Sequence, residues 1–169
     1  MNRCTWCNMK NPIYISYHDN EWGILNTCEK YLYEMLILES FQAGLSWECI
    51  LNKREAFRKA YDNFDINKVI NYNDTKIEEL LKNKEIIRNK LKIKASINNS
   101  KIFKNIQKEY GCFNNYLNTF TKGKIIYETE NSSSKFVTLE FYDYVKYFID
   151  TYSIELNEYL TTDYIIQLL

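Results

Sequence analysis

The chain has one proline and four glycines in 169 residues. An all-β chain needs many tight turns, and the residues that make them are scarce here, so the composition points to an all-α domain. No stretch approaches the roughly 20 apolar residues needed to cross a bilayer. The start, Met1-Asn2-Arg3-Cys4, lacks the apolar run of a secretory signal. A cytoplasmic protein with no membrane partner is the expectation. Histidine occurs once, at His18, and no cysteine follows Cys112. The five cysteines (Cys4, Cys7, Cys28, Cys49, Cys112) form an odd, scattered set, which suits reduced thiols or metal ligands better than a disulfide framework.

Net charge is zero, so total charge carries no information about nucleic acid. Its distribution does. Residues 82–108 hold nine basic side chains and one acidic one, Glu85, whereas residues 137–169 hold six acidic side chains and only Lys146. The basic run reads either as a solvated helix face or as a phosphate-binding surface. No Pro-, Gly- or Ser-rich linker divides the chain, and a single domain over 1–169 is expected.

Local patterns place the helices. After an irregular N-terminal segment, Asn26 or Thr27 is positioned to cap a helix carrying Tyr31, Met35 and Leu38. Gly44 interrupts it, and Ser46 caps the next helix, with Ile50, Phe57 and Tyr61 at helical spacing. Thr75-Lys-Ile-Glu78 has the form of a capping box for a short helix through Leu81. Ile86-Ile-Arg-Asn89 leads into a longer helix with Leu91, Ala95, Ile102 and Ile106 on its apolar face, stopped by Gly111. The pair has the outline of a helix-hairpin-helix, although Lys84-Glu85 stands where a hairpin glycine is usual. From about Ser132 the tail is Tyr-rich. Tyr144, Tyr147, Phe148, Thr151 and Tyr152 fit one helical face, and Val137-Thr-Leu-Glu-Phe fits a short strand equally well.

The most specific features are long strings. Arg3-Cys-Thr-Trp6 and Tyr14-Ile-Ser-Tyr17-His18-Asp-Asn-Glu-Trp22-Gly23 are followed by Leu38-Glu39-Ser-Phe-Gln42-Ala-Gly44-Leu45-Ser-Trp47. With Ile86-Ile-Arg-Asn89, these resemble the type I 3-methyladenine DNA glycosylases in order, spacing and residue type, over residues 1 to about 110. Strings of this length agree by chance far less often than a three-residue motif. The resemblance implies an all-helical fold of the helix-hairpin-helix glycosylase superfamily, family-like over 1–130 with a divergent tail over 131–169. It also implies excision of 3-methyladenine from double-stranded DNA containing alkylated adenine, by hydrolysis of the N-glycosidic bond and with no organic cofactor. A monomer is expected.

Carried over residue by residue, the resemblance puts Glu39 in the catalytic role, with Tyr14, Tyr17 and Trp47 around the base. It puts Leu45, Arg88, Asn89 and Lys90 at the DNA. These residue types suit that chemistry: aromatic walls hold an extruded base, and a desolvated carboxylate selects a cationic one. Leu45 is a candidate wedge for the gap left in the duplex, or a core leucine between helices. The resemblance further implies a structural zinc. Cys4 and His18 match two of its four ligands, and the C-terminal pair has no counterpart. Cys4, Cys7 and His18 with a ligand from elsewhere would be a makeshift alternative. Other readings of the chain are a catalytically weak relative that binds DNA without excision, and a plain helical interaction module.

Overall fold

The computed structural model describes residues 3–121, and the tail that reads as helix or strand from sequence lies outside them. The described residues are all-helical: α1 (Pro12–Asn20), α2 (Glu29–Gln42), α3 (Trp47–Ala60), a 3₁₀ turn (Asp62–Phe64), α4 (Ile66–Val69), α5 (Asp74–Lys82), α6 (Lys90–Tyr110) and α7 (Phe113–Thr121).

Helix starts are set by short polar side chains. Ser46 Oγ accepts the N–H of Cys49 at 3.2 Å and opens α3 as its sequence suggests. The segment expected to be irregular contains α1 instead. Asn11 Oδ1 accepts the N–H groups of Ile13 and Tyr14, and Pro12 occupies the first turn, where its missing N–H costs nothing. Two caps shift by a residue or two. α5 starts on Asn73, whose side chain accepts the N–H of Lys76 at 3.0 Å, not on Thr75. An Asn is as good a cap as a Thr, and starting earlier places Asp74 at the positive end of the helix. α2 follows Cys28, which makes no side-chain cap; Asn26 instead accepts the N–H of Cys28 and bends the chain ahead of the helix. Gly44 and Gly111, both at positive φ, close α2 and α6 as expected.

α2 and α6 pack together, and α3 lies against α2. An aromatic run, Phe41–Phe57–Tyr61–Phe64–Tyr33–Phe103, links these helices through ring centroids 4.8 to 6.2 Å apart. α6 meets it with small hydroxyl residues: Ser100 Oγ is 2.6 Å from the Tyr33 hydroxyl, and Ser96 Oγ is 3.0 Å from that of Tyr61. This corrects the expected apolar face of α6. Leu91 is 64% exposed, and the buried stripe runs through Ile93, Ser96, Ile97, Ser100 and Phe103, joined by Ala95 and Ile106. α6 is covered by α2, α4, α5 and α7, so its buried surface exceeds one amphipathic stripe and takes in polar residues that find partners.

Charged residues lock the three helices that carry the site. Arg54 of α3 donates to Glu34 of α2 at 2.6 Å and to both oxygens of Glu21, just past α1, at 2.9 Å. At the other end of α2, the Glu29 carboxylate accepts the N–H groups of Phe113 and Asn114 and so caps α7.

Candidate active site

Glu39 lies in the last turn of α2 and is 2% exposed. Neither carboxylate oxygen has a hydrogen-bond partner among the described residues. Arg54 and Arg58 both pair with Glu34 of the same helix, not with Glu39. Desolvation with nothing to offset it pushes the Glu39 carboxyl up to about 8. An empty site at neutral pH therefore holds it protonated. At neutral pH an incoming donor or cation favours the carboxylate.

Tyr17 of α1 and Trp47 at the start of α3 are buried, with ring centroids 5.5 Å apart at 65°. Burial raises the Tyr17 phenol above its ordinary value, and the Glu39 charge raises it further. The Trp47 indole N–H makes no well-formed hydrogen bond, although it lies near enough to the Tyr17 oxygen to favour the phenolate slightly. Gln42 Oε1, one turn beyond Glu39, is also buried without a partner. α1, α2 and α3 thus bring together the Glu39, Tyr17 and Trp47 that sequence singled out, with unspent acceptors and a donor. Tyr14 is buried beside them in the same core.

Two aromatic residues given no role from sequence extend the set. The Trp6 ring lies tilted 5.4 Å from Tyr14 and edge-on 5.1 Å from Trp22, and Trp22 lies 6.5 Å from Tyr17. The available signal was their place within the N-terminal strings.

Leu45 sits in the α2–α3 turn and is 39% exposed, so it is not a core leucine. Arg88, Asn89 and Lys90 are exposed at the start of α6. The Asn89 side-chain oxygen is used by the helix, accepting the N–H groups of Leu91 at 2.9 Å and Lys92 at 3.1 Å. Of the basic run, Lys92 is the buried exception. Its ammonium donates to the carbonyl oxygens of Phe41 and Ala43, which joins the start of α6 to the turn that carries Leu45.

Cys4 and His18, the residues matched to zinc ligands, lie within hydrogen-bonding distance of each other. His18 Nε2 accepts the N–H of Cys4 at 3.2 Å, and Nδ1 lies 2.9 Å from Asp19 Oδ1, so both ring nitrogens are in use. Arg3 clamps Asp19 through both oxygens and, with His18, holds that carboxyl well below the usual range. Cys7 is buried with its thiol directed to the Tyr14 carbonyl. Among the described residues no three His, Cys, Asp or Glu side chains are grouped to hold a metal ion.

A buried carboxyl with no partner among the described residues, close to the Tyr17–Trp47 ring pair, suits a flat ligand able to donate hydrogen bonds or carry positive charge. The sequence model of the methyladenine glycosylase family matches residues 6–141. The chain belongs to that family.

DNA-3-methyladenine glycosylase 1 of Escherichia coli (strain K12) is 47% identical over 88 residues, 52% of this chain and 46% of that protein. The match thus spans about half the length of the curated relatives. A crystal structure of 3-methyladenine DNA glycosylase I superposes with a TM-score of 0.84 at 31% identity, covering 99% of this chain and 90% of that one. A structure described as showing how the Staphylococcus aureus 3-methyladenine DNA glycosylase I recognises 3-methyladenine gives 0.80 at 29% identity, covering 95% and 84%.

Proposed function

We propose that this chain excises 3-methyladenine from alkylated double-stranded DNA. The buried Glu39 carboxyl, close to the Tyr17–Trp47 pair and unpaired among the described residues, is the observation that carries the reading. Alkylation at N3 gives the base a fixed positive charge while it remains attached to the sugar. Such a cation supplies what the Glu39 carboxylate lacks, and neutral adenine does not, so the cost of ionising Glu39 discriminates between them.

The reaction asks little more of the protein. The bond from the sugar C1′ to N9 breaks, its electron pair stays with the base, and neutral 3-methyladenine departs. Water then bonds to C1′ and releases a proton. Holding the extruded base between aromatic walls, beside a charge that water cannot screen, favours the separating state over the stacked duplex.

The turn over residues 83–89, between α5 and α6, is proposed as a helix-hairpin-helix. Exposed Arg88 and Lys90, with the positive dipole of the α6 start, face a backbone phosphate there. Leu45 is the proposed wedge, its exposure on the neighbouring turn supporting that role. The protein is proposed to act as a monomer in the cytoplasm, whose reducing conditions suit five thiols.

The deciding experiment incubates the purified chain with methylated duplex DNA and resolves released bases by chromatography. Release of 3-methyladenine with abasic sites left behind is expected. Retention of DNA with no base released would replace the reading with that of a binding-only relative. Zinc has its own measurement. We propose that hydrogen bonds, not a closed metal site, hold Cys4 and His18. Elemental analysis should find well under one zinc per chain, and a full equivalent surviving EDTA would overturn this.

A further inference from the structure

Lys92 breaks several local rules together. It stands in the first turn of α6, where the positive end of the helix dipole disfavours a cation. It is 8% exposed, and burial lowers its pKa. No carboxylate pairs with it among the described residues. What it does have is the end of α2: Nζ donates to Phe41 O at 2.8 Å and to Ala43 O at 2.5 Å. These are carbonyls that the end of a helix leaves without intrahelical partners, and a cation is the favoured group there.

The connections on either side of Lys92 give this contact a use. Its own backbone N–H is accepted by Asn89, flanked by the exposed Arg88 and Lys90. The other end, Ala43, precedes Gly44 at φ +76° and the exposed Leu45, whose N–H returns to Gln42 O. Glu39 lies one turn back along α2. A fixed line of hydrogen bonds thus joins the basic start of α6 to the turn beside the pocket. Local rule-breaking of this kind is expected where tertiary demands override local preference.

We propose that Lys92 is a positioning residue for nucleotide extrusion. It locks the turn bearing Leu45 to the start of α6, so that gripping a phosphate sets where Leu45 meets the duplex. This rests on the glycosylase reading above.

Three variants of the full chain test it: Lys92→Met, which keeps the stem and loses the donors; Lys92→Arg, which keeps donors; and Lys94→Met, which removes an exposed charge two residues away. Each is assayed for single-turnover base release at saturating protein, affinity for methylated duplex, and quenching of tryptophan fluorescence by free 3-methyladenine. Lys92→Met should slow release by on the order of 100-fold, the loss that a misplacement of about 1 Å can cause, with base quenching and DNA affinity near wild type. Lys92→Arg should recover most of the rate, and Lys94→Met should match the wild-type rate. Wild-type release by Lys92→Met, no rescue by Arg, or base quenching lost in step with the rate would each overturn the proposal. A wild-type chain that neither binds DNA nor releases base would overturn the glycosylase reading together with it.

Discussion

Glu39→Gln should reduce release of 3-methyladenine from methylated DNA by on the order of 100-fold, the equivalent of about 3 kcal/mol for losing one partner of a buried charge pair. The same change should stabilise the protein above neutral pH. The carboxyl has an ordinary value of 4.5 and is raised to about 8 in the folded chain. Between those values the native state holds a proton that the unfolded state has lost, so stability falls as pH rises through this window. Above pH 8 the accumulated penalty is on the order of 4 kcal/mol, given a carboxyl that is 2% exposed. Gln removes it. Thermal melting should show the variant several degrees above wild type at pH 8.5, with the two converging toward pH 4.5. A gap independent of pH would mean that Glu39 is not the buried acid described. For the wild type, kcat/KM should climb with pH toward about 8, because the ionised form is the one that meets the cation.

The second large effect concerns stability. Arg54→Met leaves Glu34 buried with only Arg58 and frees Glu21 from α3. Removing one partner from a buried ion pair costs about 3 to 5 kcal/mol, and the surviving Arg58 contact places the expectation near 3. Denaturant titration checks this through a lower midpoint at unchanged slope. Adding Glu34→Leu should restore much of the loss, since the stranded charge goes with it. If the double variant were no more stable than the single one, packing by the Arg54 stem, and not charge, would be its contribution. Loosening α1 also moves Tyr17, so excision should weaken alongside.

Much of the site was readable in one dimension. Glu39, Gly44, Leu45, Ser46 and Trp47 fall in one string, and the turn that displays Leu45 follows from a glycine at positive φ and a serine bonded three residues ahead. Those interactions close within one turn of chain, so sequence spacing suffices to foresee them. Where two capping residues compete, spacing is less decisive: Asn73 and Thr75 are both competent, and the longer helix prevails.

Periodicity misjudged α6 for a different reason. Leu91 looked like core and is exposed, while Lys92 looked like surface and is buried. An apolar count along one helix assumes a single covered face, and α6 has several neighbours. The acceptors that let Lys92 enter the interior lie 49 and 51 residues away, at the C-terminal end of α2 and just past it. Nothing in the run of lysines marks one of them as different.

The sequence by itself determined α2, α3, α5 and α6, the glycine stops of α2 and α6, the family strings and the residue types of the site, because these rest on local hydrogen bonds and on side-chain chemistry. Tertiary structure alone decided that Glu39 has no partner among the described residues, that Trp6 and Trp22 extend the aromatic set, that both His18 nitrogens are in use, and that one lysine of the basic run is internal. Burial and partnership are properties of which helices meet. Here they turn an ordinary glutamate into an acid that ionises near pH 8 and awaits a cation.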